Sequence, residues 1–216
     1  MRNEFNAELR ELGMLLTDMA SVAEEAIDLV TASLDPAKQG SAQEALSLTK
    51  NMDQMEREIE NRCVKLLLKQ QPVARDLRVI SAAMKMVTDL QRIGDQCANI
   101  AETSRFLTAR GESPKLEKIR SMSVRSGAMV KQAIAAYVAN DLEAADRVVR
   151  LDDEVDALFL EVKGELVDLI AGNRREADQA IDLLMTAKYL ERIADHAVNI
   201  AQWAIYCVTG EIQPTN

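Results

Sequence analysis

Histidine, cysteine, proline, glycine and aromatic residues are all scarce in this chain of 216 residues, and each shortage excludes something. With a single histidine, His196, nucleophilic Ser–His–Asp triads are nearly excluded. A carboxylate-bridged di-iron oxidase fails on the same count, because it takes two Glu-x-x-His motifs and Ile193 stands three residues before His196. No GxGxxG or Walker-type loop occurs. The three cysteines, Cys63, Cys97 and Cys207, are odd in number and form no CxxC pair. They read as small core residues rather than disulfides or a thiolate zinc site. Aromatics are 3% of the chain, which argues against a β-rich fold. Lys and Arg number 26 against 35 Asp and Glu, a net charge of -9, and nucleic acid wants the opposite sign. The longest aliphatic run is about Leu66-Leu67-Leu68, far short of the ~20 residues that span a bilayer. The opening MRNEFNAELRE lacks the apolar centre of a signal peptide, so a cytoplasmic protein is expected.

What remains is helix-forming sequence, hydrophobic at 48% and charged at 28%. The few prolines and glycines fall where helices should end. Asp35 to Gly40 closes a first helix from about Glu4 to Leu34, and Ser41 with Glu44 reads as a capping box for the second. Pro72 ends that second helix, and a third runs from about Ala74 to Ala109. Ser113-Pro114 reads as an N-cap with proline in the first helical position. The fourth helix stops near Asn140-Asp141. The fifth ends at Gly172, where glycine suits a left-handed cap, and the sixth covers about Glu176 to Val208. The fold class is all-α, with six long antiparallel helices.

The chain also repeats itself. Asp89 to Glu102 reads DLQRIGDQCANIAE, and Tyr189 to Gln202 reads YLERIADHAVNIAQ, an offset of 100. The offset also aligns Asp53 with Asp153 and Glu56 with Asp156, while Met19 and Met122 correspond at 103. Two tandem three-helix bundles follow, residues 1–112 and 113–216.

Each residue advances about 100° around a helix. Leu190, Ile193, Ala194, Ala197 and Ile200 therefore mark the core face, and Lys188, Glu191, Arg192, Asp195 and Asn199 the opposite arc. Gln91, Arg92, Asp95 and Asn99 repeat that arc in the first half. Asp153 lies 20 residues before a turn at Asn173 and Asp195 lies 22 after it. Asp152, Asp153 and Asp156 should thus stand level with Glu191 and Asp195, and Asp53 and Glu56 with Arg92 and Asp95. Carboxylates so gathered suit a hard cation. The simpler alternative is an ion network neutralised by Arg92 and Arg192. His196, whose repeat partner is Gln96, reads as a polar surface residue rather than a ligand.

At DLQRIGDQCANIAE and YLERIADHAVNIAQ, and at PVARDLRVISAAMKMVTDLQRIGD from Pro72 to Asp95, the chain resembles the PhoU family over nearly its whole length. The resemblance implies paired three-helix bundles, a cytoplasmic and homodimeric protein, and no enzymatic activity. It implies negative regulation of phosphate uptake and of phosphate-starvation signalling. Its partners would be the ATPase subunit of a phosphate ABC transporter and a phosphate sensor histidine kinase, with the membrane reached only through them. It further implies divalent or iron-type metal ions on E/DxxxD motifs, which Glu191-xxx-Asp195 matches and Gln91-xxx-Asp95 breaks. Asp178-xxx-Asp182 fits the pattern as a separate site. The metal set is then Glu191, Asp195, Asp152, Asp153, Asp156, Asp95, Asp53 and Glu56; Arg92, Arg192, Asn99 and Asn199 are the partner-facing set. A metal- or phosphate-handling bundle protein is the alternative function.

Overall fold

The structure is a computed structural model that describes residues 2–38, 40–70, 72, 75–107 and 116–211. Six helices are present among them: α1 Arg2–Ala32, α2 Gly40–Gln70, α3 Arg75–Leu107, α4 Leu116–Ala139, α5 Leu142–Gly172 and α6 Ala177–Thr209. Single 3-10 turns at Pro36–Lys38 and Arg174–Glu176 follow α1 and α5, and there is no strand among the described residues.

Local chemistry accounts for most of these ends, with some departures from the sequence reading. Because α2 begins at Gly40, Ser41 sits inside its first turn instead of capping it. Asp141 is the capping residue that the periodicity missed: its carboxylate accepts the Ala144 N–H at 3.0 Å and starts α5. Asn140 just before it adopts φ 54°, a left-handed stop for α4 that asparagine tolerates. Gly172 is the last residue of α5, and the cap is Asn173 in extended conformation. The side chain of Asn173 donates to Glu176 and accepts the Arg175 N–H, so no left-handed glycine is needed there. Gly210, at φ 81°, supplies that cap for α6 instead. Ser113, Pro114 and the expected boundary near residue 112 lie outside the described residues.

Within each half all three helices touch one another: α1, α2 and α3 in the first, α4, α5 and α6 in the second. The halves join where α1 meets α4 and α3 meets α6. Both junctions are antiparallel. Thr31 bonds Ser123 while Glu24 pairs with Lys131, and the Cys207 thiol approaches the Arg78 carbonyl while His196 meets Asp89. Leu90, Ile93, Cys97 and Ile100 on α3 and Leu190, Ile193, Ala197 and Ile200 on α6 are all buried. Each of the larger side chains in these rows contributes about 2 kcal/mol by leaving water. The three cysteines are buried and unpaired as expected, and burial pushes each thiol up to about 12.

Candidate functional site

The repeat faces carry the polar chemistry, and the two faces differ. In the second half Asp152, Asp153 and Asp156 on α5 come together with Glu191 and Asp195 on α6, as the hairpin spacing predicts. Burial, followed by the nearby charges of Asp156, Asp195, Asp153 and Glu191, raises Asp152 up to about 6. Burial also raises Asp156 and Asp195, with Glu191 the strongest charged neighbour of each. Asp152 occupies the repeat position of Met52, which the first half buries completely beside Gly94. A carboxylate has thus replaced a thioether at a position aimed partly inward. One of its oxygens, Oδ1, is buried with no hydrogen-bond partner among the described residues. Such a group is costly where it stands.

Lys188 is the main counterweight. Its ammonium donates to both oxygens of Glu191, whose side chain is only 13% exposed, and it lies 5.4 Å from the centre of the Phe159 ring. Arg192, which the network reading cast as the neutraliser, is exposed instead.

In the first half Gln91 stands at the position of Glu191. Its amide donates to Asp95 at 2.9 Å and lies 3.5 Å from Asp53, joining the two carboxylates through neutral chemistry. Arg92 pairs with Asp95 at 3.2 Å. Glu56 belongs to the same group: burial raises its pKa, Glu60 and Asp53 raise it further, and Arg57 and Arg92 oppose them.

Asn199 does not join the carboxylate face. Its amide reaches α3 instead, where it donates to Asp89 at 3.3 Å. His196 is likewise no surface side chain. Its Nδ1 lies 2.9 Å from Asp89, with exposures of 22% and 15% for the two side chains. Asp89 was not singled out in the sequence because its repeat partner is Tyr189, and a lone carboxylate outside the repeated pattern gives no signal. Asn99 is partly buried on α3. Asp178 and Asp182 lie apart from these faces, beside Phe106 and Ile181 in a shallow cavity of about 340 Å³.

The donor chemistry of the second-half face is all oxygen, and the unpartnered Asp152 Oδ1 suits a hard cation. Yet no three His, Cys, Asp or Glu side chains among the described residues are grouped to hold a metal ion. Glu191 is already committed to Lys188, so a cation would have to displace that ammonium. The first-half face fits less well, because Gln91 removes one carboxylate and its amide joins Asp53 and Asp95.

An all-helical protein built from two related three-helix bundles, with paired polar faces, is the class that this geometry defines. The family model described as the PhoU domain matches residues 16–104 and again 119–204. The two matches start 103 apart and end 100 apart, the same offsets that the sequence repeat shows. The chain belongs to the PhoU family. It is 34% identical over 97% of its length to a phosphate-specific transport system accessory protein PhoU homolog from Clostridium acetobutylicum, covering 96% of that protein. The crystal structure of PhoU from Pseudomonas aeruginosa superposes with a TM-score of 0.91 at 34% identity, covering 96% of this chain and 100% of that one. The phosphate transport system regulatory protein PhoU from Streptococcus pneumoniae, at 24% identity, shares the fold with a TM-score of 0.90 over 98% of this chain and 100% of that one.

Proposed function

We propose that this protein is a cytoplasmic, non-enzymatic regulatory adaptor of phosphate transport. It restrains phosphate uptake and phosphate-starvation signalling by linking the ATPase subunit of a phosphate ABC transporter to a sensor histidine kinase. The observation that carries this reading is the end-to-end match of both halves to relatives named as accessory proteins of phosphate-specific transport. Two physical features support it. No helix among the described residues is long and apolar enough to cross a membrane. A net charge of -9 disfavours nonspecific adhesion to an anionic inner leaflet, leaving contact to specific protein surfaces. Affinity capture of the tagged protein from phosphate-replete cells tests the reading. The transporter ATPase and the sensor kinase should co-purify; a preparation holding neither contradicts it.

A second reading, cation binding at Asp152, Asp153, Asp156, Glu191 and Asp195, rests on the unpartnered Asp152 oxygen and the mutual repulsion of these carboxylates. A bound cation would neutralise that repulsion. Mn²⁺ should then raise the melting temperature of the wild type and leave Asp152→Asn unmoved. Equal response of the two proteins contradicts this reading.

A further inference from the structure

A pocket of about 740 Å³ lies between α1, α3 and α4, so its walls come from both halves of the molecule. Its volume falls within the range of small-molecule sites. Leu9, Met14, Val79 and Val138 form its apolar lining, with Met14 and Val138 exposed at 59% and 49%. Single exposed apolar side chains are ordinary on a protein surface, but here they meet in one concavity.

The charged groups are unevenly placed. Arg10 on α1 and Arg75, the first residue of α3, both line the pocket, and the positive end of the α3 dipole adds to them. Arg75 donates to Asn140 Oδ1 at 3.2 Å, which holds its guanidinium near the α4 end. Two aspartates also line the pocket. Asp76 lies in the first turn of α3, where the helix dipole offsets its charge. Asp18 is two turns beyond Arg10, roughly 12 Å along α1. The walls therefore present two arginines, an apolar stretch, and two aspartates of which Asp18 is separated from Arg10 along α1.

We infer that this pocket binds a small amphipathic organic anion, its carboxylate or phosphate on Arg10 and Arg75 and its apolar body along Leu9, Met14 and Val138. Because the walls belong to both halves, the bound molecule bridges the α1–α4 and α1–α3 contacts. This inference is independent of the transport reading, which is tested in cells.

The probe is anilinonaphthalene sulfonate, an aromatic body with one anionic group, titrated by fluorescence into the full-length protein. Arg10→Glu reverses one of the two cations. Val138→Trp fills the pocket from an exposed position and so leaves the core intact. Saturable one-to-one binding is expected, weakened at least tenfold by Arg10→Glu and abolished by Val138→Trp, with helicity and oligomeric state unchanged. Absence of saturable binding overturns the proposal, as does binding that either variant leaves intact. If Val138→Trp instead splits a dimer, the face belongs to a second copy of the chain and the proposal fails.

Discussion

His196 on α6 meets Asp89 on α3 at 2.9 Å, and this pair ties the two halves of the protein together. The repeat-related positions hold Gln96 and Tyr189, and Gln96 carries a buried oxygen without a hydrogen-bond partner among the described residues. The polar link is therefore made on one side of the internal symmetry only. A double-mutant cycle with His196→Ala and Asp89→Asn should give a coupling of about 1 kcal/mol in urea unfolding, at the upper end for a partly exposed pair. Strictly additive losses would show that the pair contributes nothing to holding the halves together.

Asp152 should cost stability at neutral pH. Its carboxyl titrates at about 6 in the folded protein, against roughly 4 in an unfolded chain. Below the lower value both states are protonated. Between the two the unfolded chain gives up a proton that the folded protein keeps, so stability falls as pH rises through this window and then levels off. Asp152→Asn should accordingly stabilise the protein by about 1 kcal/mol at pH ~7.5 in chelator-containing buffer, a figure reduced for the solvent that reaches the side chain. The gain should vanish below about pH 4. Denaturant titrations at the two pH values check this, and a wild type more stable than the variant at neutral pH contradicts it.

The sequence was most informative where two copies of a pattern could be compared. All six helices were legible, because the few prolines and glycines mark their ends, and the 3.6-residue spacing of Leu90, Ile93, Cys97 and Ile100 recurs at Leu190, Ile193, Ala197 and Ile200. Hairpin spacing likewise placed Asp152, Asp153 and Asp156 with Glu191 and Asp195. What stayed hidden depended on the contact between the halves. His196 lies at the edge of the polar arc and Asn199 within it, and only the packing of α6 on α3 brings them to Asp89. The pocket beside Arg10 and Arg75 was equally illegible, since its walls come from three helices far apart in sequence.

Gln91→Glu would complete the Glu-xxx-Asp pattern in the first half, and it should destabilise that face. The amide that donates to Asp95 and approaches Asp53 would become a fourth carboxylate beside Asp53, Glu56 and Asp95, with no lysine at position 88 to answer it. A loss of about 1 kcal/mol is expected from the broken hydrogen bond and the added repulsion. High salt should recover part of it by screening. A melting temperature that neither the substitution nor salt moves would contradict this account of the face.

Exchanging the charges of Arg192 and Asp195 separates docking from folding. Both residues are exposed, so the Arg192→Asp, Asp195→Arg double variant should keep its helicity and accumulate normally. It should nevertheless release phosphate-starvation gene expression in phosphate-rich medium, because any partner reading this face meets a reversed pattern. Full repression by a folded, abundant variant would place the docking surface elsewhere.

The central claim, restraint of phosphate-starvation signalling, is tested most directly by a phosphate-starvation reporter in cells lacking this gene. In phosphate-rich medium, reporter expression should be high without the gene and repressed on its return. Repression that persists without the gene would contradict the account.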